Sequence, residues 1–201
     1  MVDNLIESIT FSRNGTDLVV EGMTDRLYIR SYIPEDFERC QSLYGDAELT
    51  RYFDHGKPRS KKEIVEYVRD RGSRYFDQGL PFGIFSVFLR EGNVFVGQVD
   101  LVPTENPGEV EIGWIFNGEF HHQGLCSEAV MGFLMPLVRK IVEMGVVSKG
   151  EIVRRVIATA HPENIPSNKV IQKAGLTFYQ FGLRYGGKPR NWYGLDLGEG
   201  V

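Results

Sequence analysis

The stretch EFHHQGLCSEAV, from Glu119 to Val130, decides the fold prediction because it joins an alternating apolar segment, EVEIGWIF, to a helix. Beyond Val130, apolar residues recur at helical spacing as far as Val142. Four backbone N–H groups at a helix start have no partner inside the helix, and the helix dipole adds about half a positive charge there. We therefore expect a turn that binds an anion between His122 and Ser127.

Other interpretations of this turn are open. Ser127 could simply cap the helix while Gly124 relaxes the turn. A metal site at His121 and His122 is disfavoured, because adjacent side chains in one segment diverge, so no metal is expected. The nucleotide-binding patterns G-x-x-x-x-G-K-[ST] and G-x-G-x-x-G do not occur in the sequence.

The composition indicates one globular domain without a nucleic-acid partner. The chain has 201 residues, 42% of them hydrophobic, and a net charge of -4 with no lysine/arginine block. Its two cysteines, Cys40 and Cys126, are far apart in sequence, which favours free thiols in a cytoplasmic protein. No signal peptide is predicted at the N-terminus. The segment Ala129 to Val147 carries three charged residues, so no membrane contact is expected either.

The pattern of strands and helices predicts an α/β fold. Residues 1–22 are expected to form an N-terminal β-hairpin extension with its turn at Asn14-Gly15, and this hairpin could mediate a homodimer. Residues 23–201 are expected to form the main domain. It opens with the strand RLYIRSY and a helix started by Pro34. Ser60 then starts a second helix with capping-box spacing to a glutamate.

The rest of the domain is predicted to be a run of strands followed by alternating helices and strands. The segments FGIFSVFL, VFVGQVDLV and EVEIGWIF form an antiparallel meander. The long helix that follows should kink at Pro136, which lacks a backbone N–H. Strand VRRVIATAH, helix NIPSNKVIQKAG and the closing strands LTFYQFGLRY and NWYGLDL complete the chain.

Two motifs carry a family resemblance. EIGWIFNGEFHHQGLCSEAV, followed by HPENIPSNKVIQKAGL, resembles the GNAT N-acetyltransferases, particularly the branch that acetylates ribosomal-protein N-termini. TDRLYIRSYIPEDFE is similar to the usual opening of that branch. The resemblance implies a mixed, mostly antiparallel twisted sheet flanked by helices. It also implies acetyl transfer from acetyl-CoA to a primary amine, either a peptide N-terminus or a small cationic amine. A non-catalytic acyl-CoA sensor is the alternative.

The resemblance also implies the cofactor contacts. In the family, backbone amides of a Q/R-x-x-G-x-G/A loop hold the pyrophosphate of acetyl-CoA, and an N-x-x-S motif follows later. Here His121 and Cys126 replace the first and last residues of the loop pattern, and Cys126 is not expected to be a nucleophile. The implied cofactor-binding residues are Ile115, Phe116, His121, His122, Gln123, Gly124, Leu125, Cys126, Ser127, Asn164 and Ser167.

The chemistry needs a base, because a lysine amine has a pKa of about 10.4 and an α-amine of about 8. A carboxylate or an ordered water would remove the proton. Glu111 is the preferred base and Asp100 the second, with Glu109 on the same strand face as Glu111. The alternative is that these carboxylates lie on a solvated strand edge.

The leaving thiolate, whose conjugate acid has a pKa near 8.5, needs a hydroxyl beside it. The resemblance points to Ser167 for this role, with Tyr179 or Tyr185 as substitutes. Asn164 would cap its helix or bond the pantetheine arm. A backbone N–H between Trp114 and Phe116 would stabilise the oxyanion.

Overall fold

The alternation of strands and helices is found along residues 7–198, the part of the chain that the computed structural model describes. The strands are β1 (Glu7–Asn14), β2 (Asp17–Met23), β3 (Leu27–Ser31), β4 (Gly83–Leu89), β5 (Phe95–Pro103), β6 (Glu109–Phe116), β7 (Val147–Ser148), β8 (Glu151–Ile152), β9 (Arg155–Ala160), β10 (Thr177–Arg184) and β11 (Lys188–Asp196). The helices are α1 (Phe37–Tyr44), α2 (Ala47–Thr50), α3 (Lys61–Val68), α4 (Leu125–Ala129), α5 (Met135–Glu143) and α6 (Ile165–Lys173).

Nine strands form one mixed sheet in the order β1-β2-β3-β4-β5-β6-β9-β11-β10. All neighbours run antiparallel except β6 and β9, which are parallel. The predicted meander is confirmed as β4, β5 and β6, and β6 has the predicted bounds. The α/β fold class and the mostly antiparallel sheet are thus confirmed.

The N-terminal hairpin is part of this sheet, because β2 pairs with both β1 and β3. Its turn lies one residue later than predicted. Asn14 pairs with Asp17, so Gly15 and Thr16 form the loop, and Gly15 takes the left-handed φ of +62°. Residues 1–6 of the predicted extension lie outside the described residues, and its role in a dimer stays a prediction.

Helix starts follow their capping residues. Pro34 begins a short 3₁₀ turn that leads into α1. Ser60 and Glu63 form the predicted capping box at α3, since each side chain bonds the other residue's backbone N–H. Helix α2, capped by Asp46, and the small β7–β8 hairpin were not predicted.

The predicted kink at Pro136 takes another form. A π-helical turn spans Val130–Leu134, and the N–H of Met135 donates to the carbonyl of Val130. Helix α5 then begins with Pro136 in its first turn, where a missing N–H costs nothing. The helical run is therefore unbroken from Leu125 to Glu143, with a widened turn before the proline.

This helical run packs on one face of the sheet. Phe133 contacts Phe85 edge to face at a ring-centroid distance of 5.2 Å, and both rings are buried. Gly22 permits this approach, since a Cβ there would lie 3.0 Å from the Phe133 ring. Truncating such a ring typically costs about 3–5 kcal/mol of unfolding free energy.

A smaller buried cluster lies around Tyr44 and Ile64, where α1 and α3 meet the sheet. No helix within residues 7–198 has the length and apolarity needed to cross a bilayer.

Candidate active site

A cleft of about 1010 Å³ opens where β6 and β9 separate. The two parallel strands pair only from Glu109↔Arg155 to Glu111↔Ile157, although both continue beyond that point. Their separated ends line the cleft on both sides. Along β6, alternate residues direct their N–H groups toward β5 and toward β9. The N–H groups of Trp114 and Phe116 point away from β5, so they face the gap between β6 and β9.

The turn from His121 to Ser127 lies at the mouth of this cleft. His122 and Gly124 take left-handed φ values of +63° and +77°, which aim successive backbone N–H groups outward. The His121 N–H donates to the Gly118 carbonyl at 3.1 Å, and the next N–H with a backbone acceptor is that of Glu128, which donates to the Gly124 carbonyl at 3.0 Å. The N–H groups from His122 to Ser127 have no acceptor within residues 7–198. The turn therefore presents several donors at a helix start, as an anion site requires.

Hydrogen bonds of Glu128 and Arg26 fix the position of this turn. The Glu128 carboxylate accepts bonds from the Thr24 hydroxyl at 2.6 Å, the Arg26 backbone N–H at 2.9 Å and Arg26 Nε at 2.7 Å. Burial opposes ionisation of Glu128, but these hydrogen bonds outweigh it and lower its pKa. Arg26 Nη1 also donates to the Gln123 carbonyl at 3.1 Å, which fixes the turn against β3.

Ten of the eleven residues implied as cofactor contacts line the cleft. The exception is Gln123, whose side chain donates to the Glu119 carbonyl at 2.9 Å. His121 also turns its side chain inward, since its Nε2 lies 3.0 Å from the Phe116 carbonyl oxygen. The backbone N–H of Gln123 is open to a ligand, whereas that of His121 donates to the Gly118 carbonyl at 3.1 Å. Cys126 is partly buried, and burial raises the pKa of its thiol, which leaves it a poor nucleophile.

Asn164 and Ser167 lie on the opposite wall. Asn164 caps α6 with its side-chain oxygen, which accepts from the Ser167 N–H at 3.3 Å. Its amide nitrogen has no acceptor among the described residues, and Asn164 is one of the residues that line the cleft. The Ser167 hydroxyl accepts from Trp114 Nε1 at 3.3 Å, so its own proton stays available to a ligand.

Asp100 lies deep in the cleft, opposite Gly113 in the β5–β6 ladder. A Cβ on Gly113 would collide with the Asp100 carboxylate, so the glycine makes room for it. Burial raises the pKa of Asp100 to about 7, and the nearby guanidinium of Arg71 opposes this rise. Asp100 Oδ2 and Arg71 Nη1 are 3.6 Å apart. The carboxyl is therefore able to gain or lose a proton near neutral pH.

Glu111 also lies in the cleft, but both its oxygens are engaged. Arg184 Nη1 and Nη2 donate to them at 2.6 and 2.8 Å, and the Thr159 hydroxyl lies 3.4 Å from one oxygen. The Arg184 guanidinium in turn stacks over the rings of Tyr185 and Trp192. Glu111 is thus a member of a paired network, which leaves Asp100 as the freer carboxylate.

Glu109, expected on the same strand face as Glu111, does not line the cleft. Thr104 and Asn106 donate to it at 2.9 Å, and Arg155 lies 3.3 Å away. The alternative of a solvated strand edge is wrong for all three carboxylates, which are each no more than 8% exposed. Tyr179 lies outside the cleft on β10, under the Arg155 guanidinium, whereas Tyr185 does line it.

Sequence reasoning missed Arg71 and Arg184, the two cations beside the candidate base. Arg71 occurs in the polar segment VRDRGSR, which is typical of a solvated turn, and Arg184 lies at the end of the predicted strand LTFYQFGLRY. Their function follows only from the tertiary contacts with Asp100 and Glu111. No group of three or more potential metal ligands is present in the described part of the chain.

The fold and this site have counterparts among known proteins. The family model described as an acetyltransferase (GNAT) domain matches residues 26–177. An uncharacterized N-acetyltransferase of Bacillus subtilis (strain 168), YnaD, is 26% identical over 170 residues, covering 85% of this chain and 90% of that protein. A GNAT-family acetyltransferase from Bacillus anthracis superposes with a TM-score of 0.68 at 24% identity, covering 88% of this chain and 98% of that one.

A third similar structure contains coenzyme A. It is the ribosomal L7/L12 alpha-N-protein acetyltransferase RimL in complex with coenzyme A, with a TM-score of 0.65 at 17% identity over 87% of this chain and 96% of that one. At such identities the likeness shows the fold alone. The resemblance inferred from the two motifs is confirmed by the match to the family model, which spans most of the chain. This protein therefore belongs to the GNAT acetyltransferase family of acyl-CoA-dependent N-acetyltransferases.

Proposed function

We propose that this protein transfers the acetyl group of acetyl-CoA to a primary amine by direct attack, with Asp100 as the base. The observation that carries the proposal is the run of backbone N–H groups from His122 to Ser127 that lack a protein acceptor at the mouth of the cleft. Unpaired donors at a helix start are costly to bury and favourable for a diphosphate. The cleft leads from this turn directly to Asp100.

The residues present fit coenzyme A along its length. The turn would hold the diphosphate through backbone donors, for which the side chains at His121 and Cys126 are immaterial. The N–H groups of Trp114 and Phe116, free in the gap beside β6, would pair with the pantetheine amides like an added strand. The unpaired amide nitrogen of Asn164 would donate to the same arm. The bound co-substrate supplies the thioester.

Asp100 would take the proton of the attacking amine. With a pKa raised to about 7 by burial, the carboxyl is largely ionised at slightly alkaline pH yet basic enough to accept a proton. The reaction forms a bond between the amine nitrogen and the acetyl carbon and breaks the bond from that carbon to sulfur. Ser167, whose hydroxyl proton is free, would hydrogen-bond the leaving sulfur. Asp100 passes the amine proton to solvent, and the leaving thiolate takes up a proton from solvent, so the products are the amide and the free thiol of coenzyme A.

The assignment of Asp100 rests on the difference between two carboxylates. Glu111 has each oxygen bound by Arg184, and protonating it would break a bidentate ion pair. Asp100 Oδ2 lies 3.6 Å from Arg71, too far for a hydrogen bond, so the Asp100 carboxylate keeps lone pairs for an amine.

The test is turnover with acetyl-CoA and a panel of amines, followed by release of free thiol and by mass spectrometry of the amine. Thermal shift with coenzyme A alone is measured alongside. The proposal predicts a rise in melting temperature and thiol release with at least one amine. A thermal shift without turnover on any amine would instead favour a non-catalytic acyl-CoA sensor, and no shift at all would refute cofactor binding.

A further inference from the structure

Arg71 presents unused hydrogen-bond donors to the cleft. Its Nη1 donates to the Tyr67 hydroxyl at 3.3 Å, the one hydrogen bond that it makes within residues 7–198. The same nitrogen lies 3.6 Å from Asp100 Oδ2, beyond hydrogen-bond distance. The side chain is 27% exposed and lines the cleft. A guanidinium has five donors, so most of those of Arg71 are available to a ligand.

Two other arginines near these carboxylates use their terminal nitrogens to bind the protein. Arg184 binds both oxygens of Glu111. Arg190 donates through its two terminal nitrogens to the backbone carbonyls of Tyr52 and Asp54 at 2.9 and 2.8 Å. Their donors hold the fold together, whereas those of Arg71 do not.

The backbone that carries Arg71 is held firmly. Arg71 lies in a π-helical turn, Arg69–Ser73, that continues α3, and such turns occur frequently at functional sites. This turn packs closely on β4 at Gly83, where a Cβ would collide with the carbonyl of Gly72. The Tyr67 ring lies under the guanidinium with its centroid 5.6 Å from Cζ. The position of the donors is therefore fixed before a ligand binds.

The distance between Arg71 and Asp100 suits one class of amine. In an α-amino acid or a peptide N-terminus, the amine nitrogen and the carbonyl oxygen of the same residue are about 3 Å apart. An amine that donates to Asp100 would thus bring this oxygen to the guanidinium beside it. A second ammonium group, as in a polyamine, would instead face the positive charge of Arg71.

We propose that Arg71 makes the enzyme selective for α-amines that carry a carbonyl or carboxylate oxygen on the next carbon, as in peptide N-termini and free amino acids. This inference rests on the proposed function, because it places the attacking amine at Asp100. Arg71 acts here as a specificity residue that binds the acceptor.

The experiment compares five acceptors: L-alanine, L-alaninamide, a short peptide that begins with alanine, isopropylamine, which has no oxygen, and spermidine. Each is measured with the wild type, Arg71→Gln, Arg71→Lys and the control Arg69→Gln. Arg69 belongs to the same turn, but its side chain is 65% exposed and pairs with Asp70. Binding of coenzyme A, measured by thermal shift, confirms that each variant is folded.

The quantity compared is the ratio of kcat/KM between wild type and variant for each acceptor, because the basicity of the amine cancels in that ratio. A hydrogen bond to a charged group corresponds to a loss of about 10- to 100-fold. Arg71→Gln should therefore lower kcat/KM at least tenfold more for the oxygen-bearing acceptors than for isopropylamine, mainly through KM. Arg71→Lys should recover part of the loss, and Arg69→Gln should change nothing. A preference for alaninamide and the peptide over alanine identifies a carbonyl as the partner, and the reverse identifies a carboxylate.

Two outcomes overturn the inference while the proposed function stands. One is an equal loss for all acceptors in Arg71→Gln, which would mean that Arg71 acts only on Asp100. The other is wild-type turnover of isopropylamine or spermidine without turnover of any oxygen-bearing amine. Failure to acetylate any amine would refute the proposed function itself, and the inference would fall with it.

Discussion

Replacing Asp100 with asparagine removes the candidate base with almost no change of shape. The carboxyl lies in a space created by Gly113, and burial raises its pKa from 3.8 to about 7. A difference of about three pKa units corresponds to about 4 kcal/mol of penalty for the ionised form in the folded protein, at 1.36 kcal/mol per unit. Asp100→Asn also leaves Arg71 without its ion partner, and this loss offsets part of the gain.

The sign of the stability effect follows from proton binding. Between pH 4 and 7 the folded protein keeps the Asp100 proton while the unfolded chain has lost it, so the free energy of unfolding falls as pH rises through this window. Above about pH 7 the contribution is constant. Asp100→Asn lacks this slope, so its stability relative to wild type should increase from pH 4 to pH 8 by up to about 4 kcal/mol. Carboxylates with a lowered pKa, such as Asp36, give the same pH dependence of stability in both proteins. Their contribution therefore cancels when the two proteins are compared.

Urea unfolding at pH 4, 5.5, 7 and 8 measures this difference, with Asp70→Asn as the control. Asp70 has a side chain 57% exposed and lies outside the cleft, so its variant should keep the wild-type slope. In kinetics, the acid limb of kcat/KM should have a midpoint near pH 7 in the wild type and disappear in Asp100→Asn. The activity itself should fall by about 10²- to 10⁴-fold, with unchanged affinity for coenzyme A.

Two results would refute this reasoning. An acid limb near pH 7 that persists in Asp100→Asn would show that another group of the protein titrates there. A stability difference that does not vary with pH would show that the Asp100 pKa is not raised in the folded protein. The ionisation of the acceptor amine appears in both proteins, so it does not affect the comparison.

Three other substitutions test separate parts of the site. Gly124→Ala forces a side chain into a φ of +77° at a cost of about 1–2 kcal/mol and should weaken coenzyme A binding in calorimetry, whereas Gly15→Ala, at +62° in the distant hairpin, should carry the same strain without that effect. Ser167→Ala should lower kcat at least severalfold without changing the Kd for coenzyme A, and unchanged turnover would remove Ser167 from the reaction. Glu111→Gln breaks the bidentate pair with Arg184 and should lower the free energy of unfolding by about 1–3 kcal/mol, measured by urea unfolding. It should reduce kcat less than Asp100→Asn does. A larger loss of kcat in Glu111→Gln would make Glu111 the base.

Elements set by local pattern could be predicted from the sequence. The segment EVEIGWIF became β6 with the predicted bounds, because its alternation and flanking turn residues are properties of neighbours in the chain. The capping box of α3 likewise depends on residues only three positions apart, Ser60 and Glu63.

Features that depend on partners distant in sequence were displaced or missed. The hairpin turn moved to Gly15 and Thr16 because the register of the two strands, in which Asn14 pairs with Asp17, decides which residues remain unpaired. Pro136 does not break its helix, because a wider turn before it removes the need for the lost N–H.

The same distinction applies to the site. The run of unpaired backbone donors was predictable, since a strand, a glycine and a helix start in sequence place such donors together whatever the neighbouring side chains are. The preference for Asp100 over Glu111 as the proposed base was not, because it depends on Arg184, 73 residues after Glu111, and on Arg71 in a separate layer. Charge pairs across a sheet have no local signal in the sequence.

The central claim is that backbone N–H groups in the turn bind a diphosphate, and amide NMR tests it most directly. The ¹H–¹⁵N resonances of residues 122–127 are followed during titration with coenzyme A and, in parallel, with pantetheine, which lacks the diphosphate. The account predicts large downfield shifts of the amide protons from Gly124 to Ser127 with coenzyme A and small shifts with pantetheine. Unchanged amide resonances in this turn at saturating coenzyme A would contradict it.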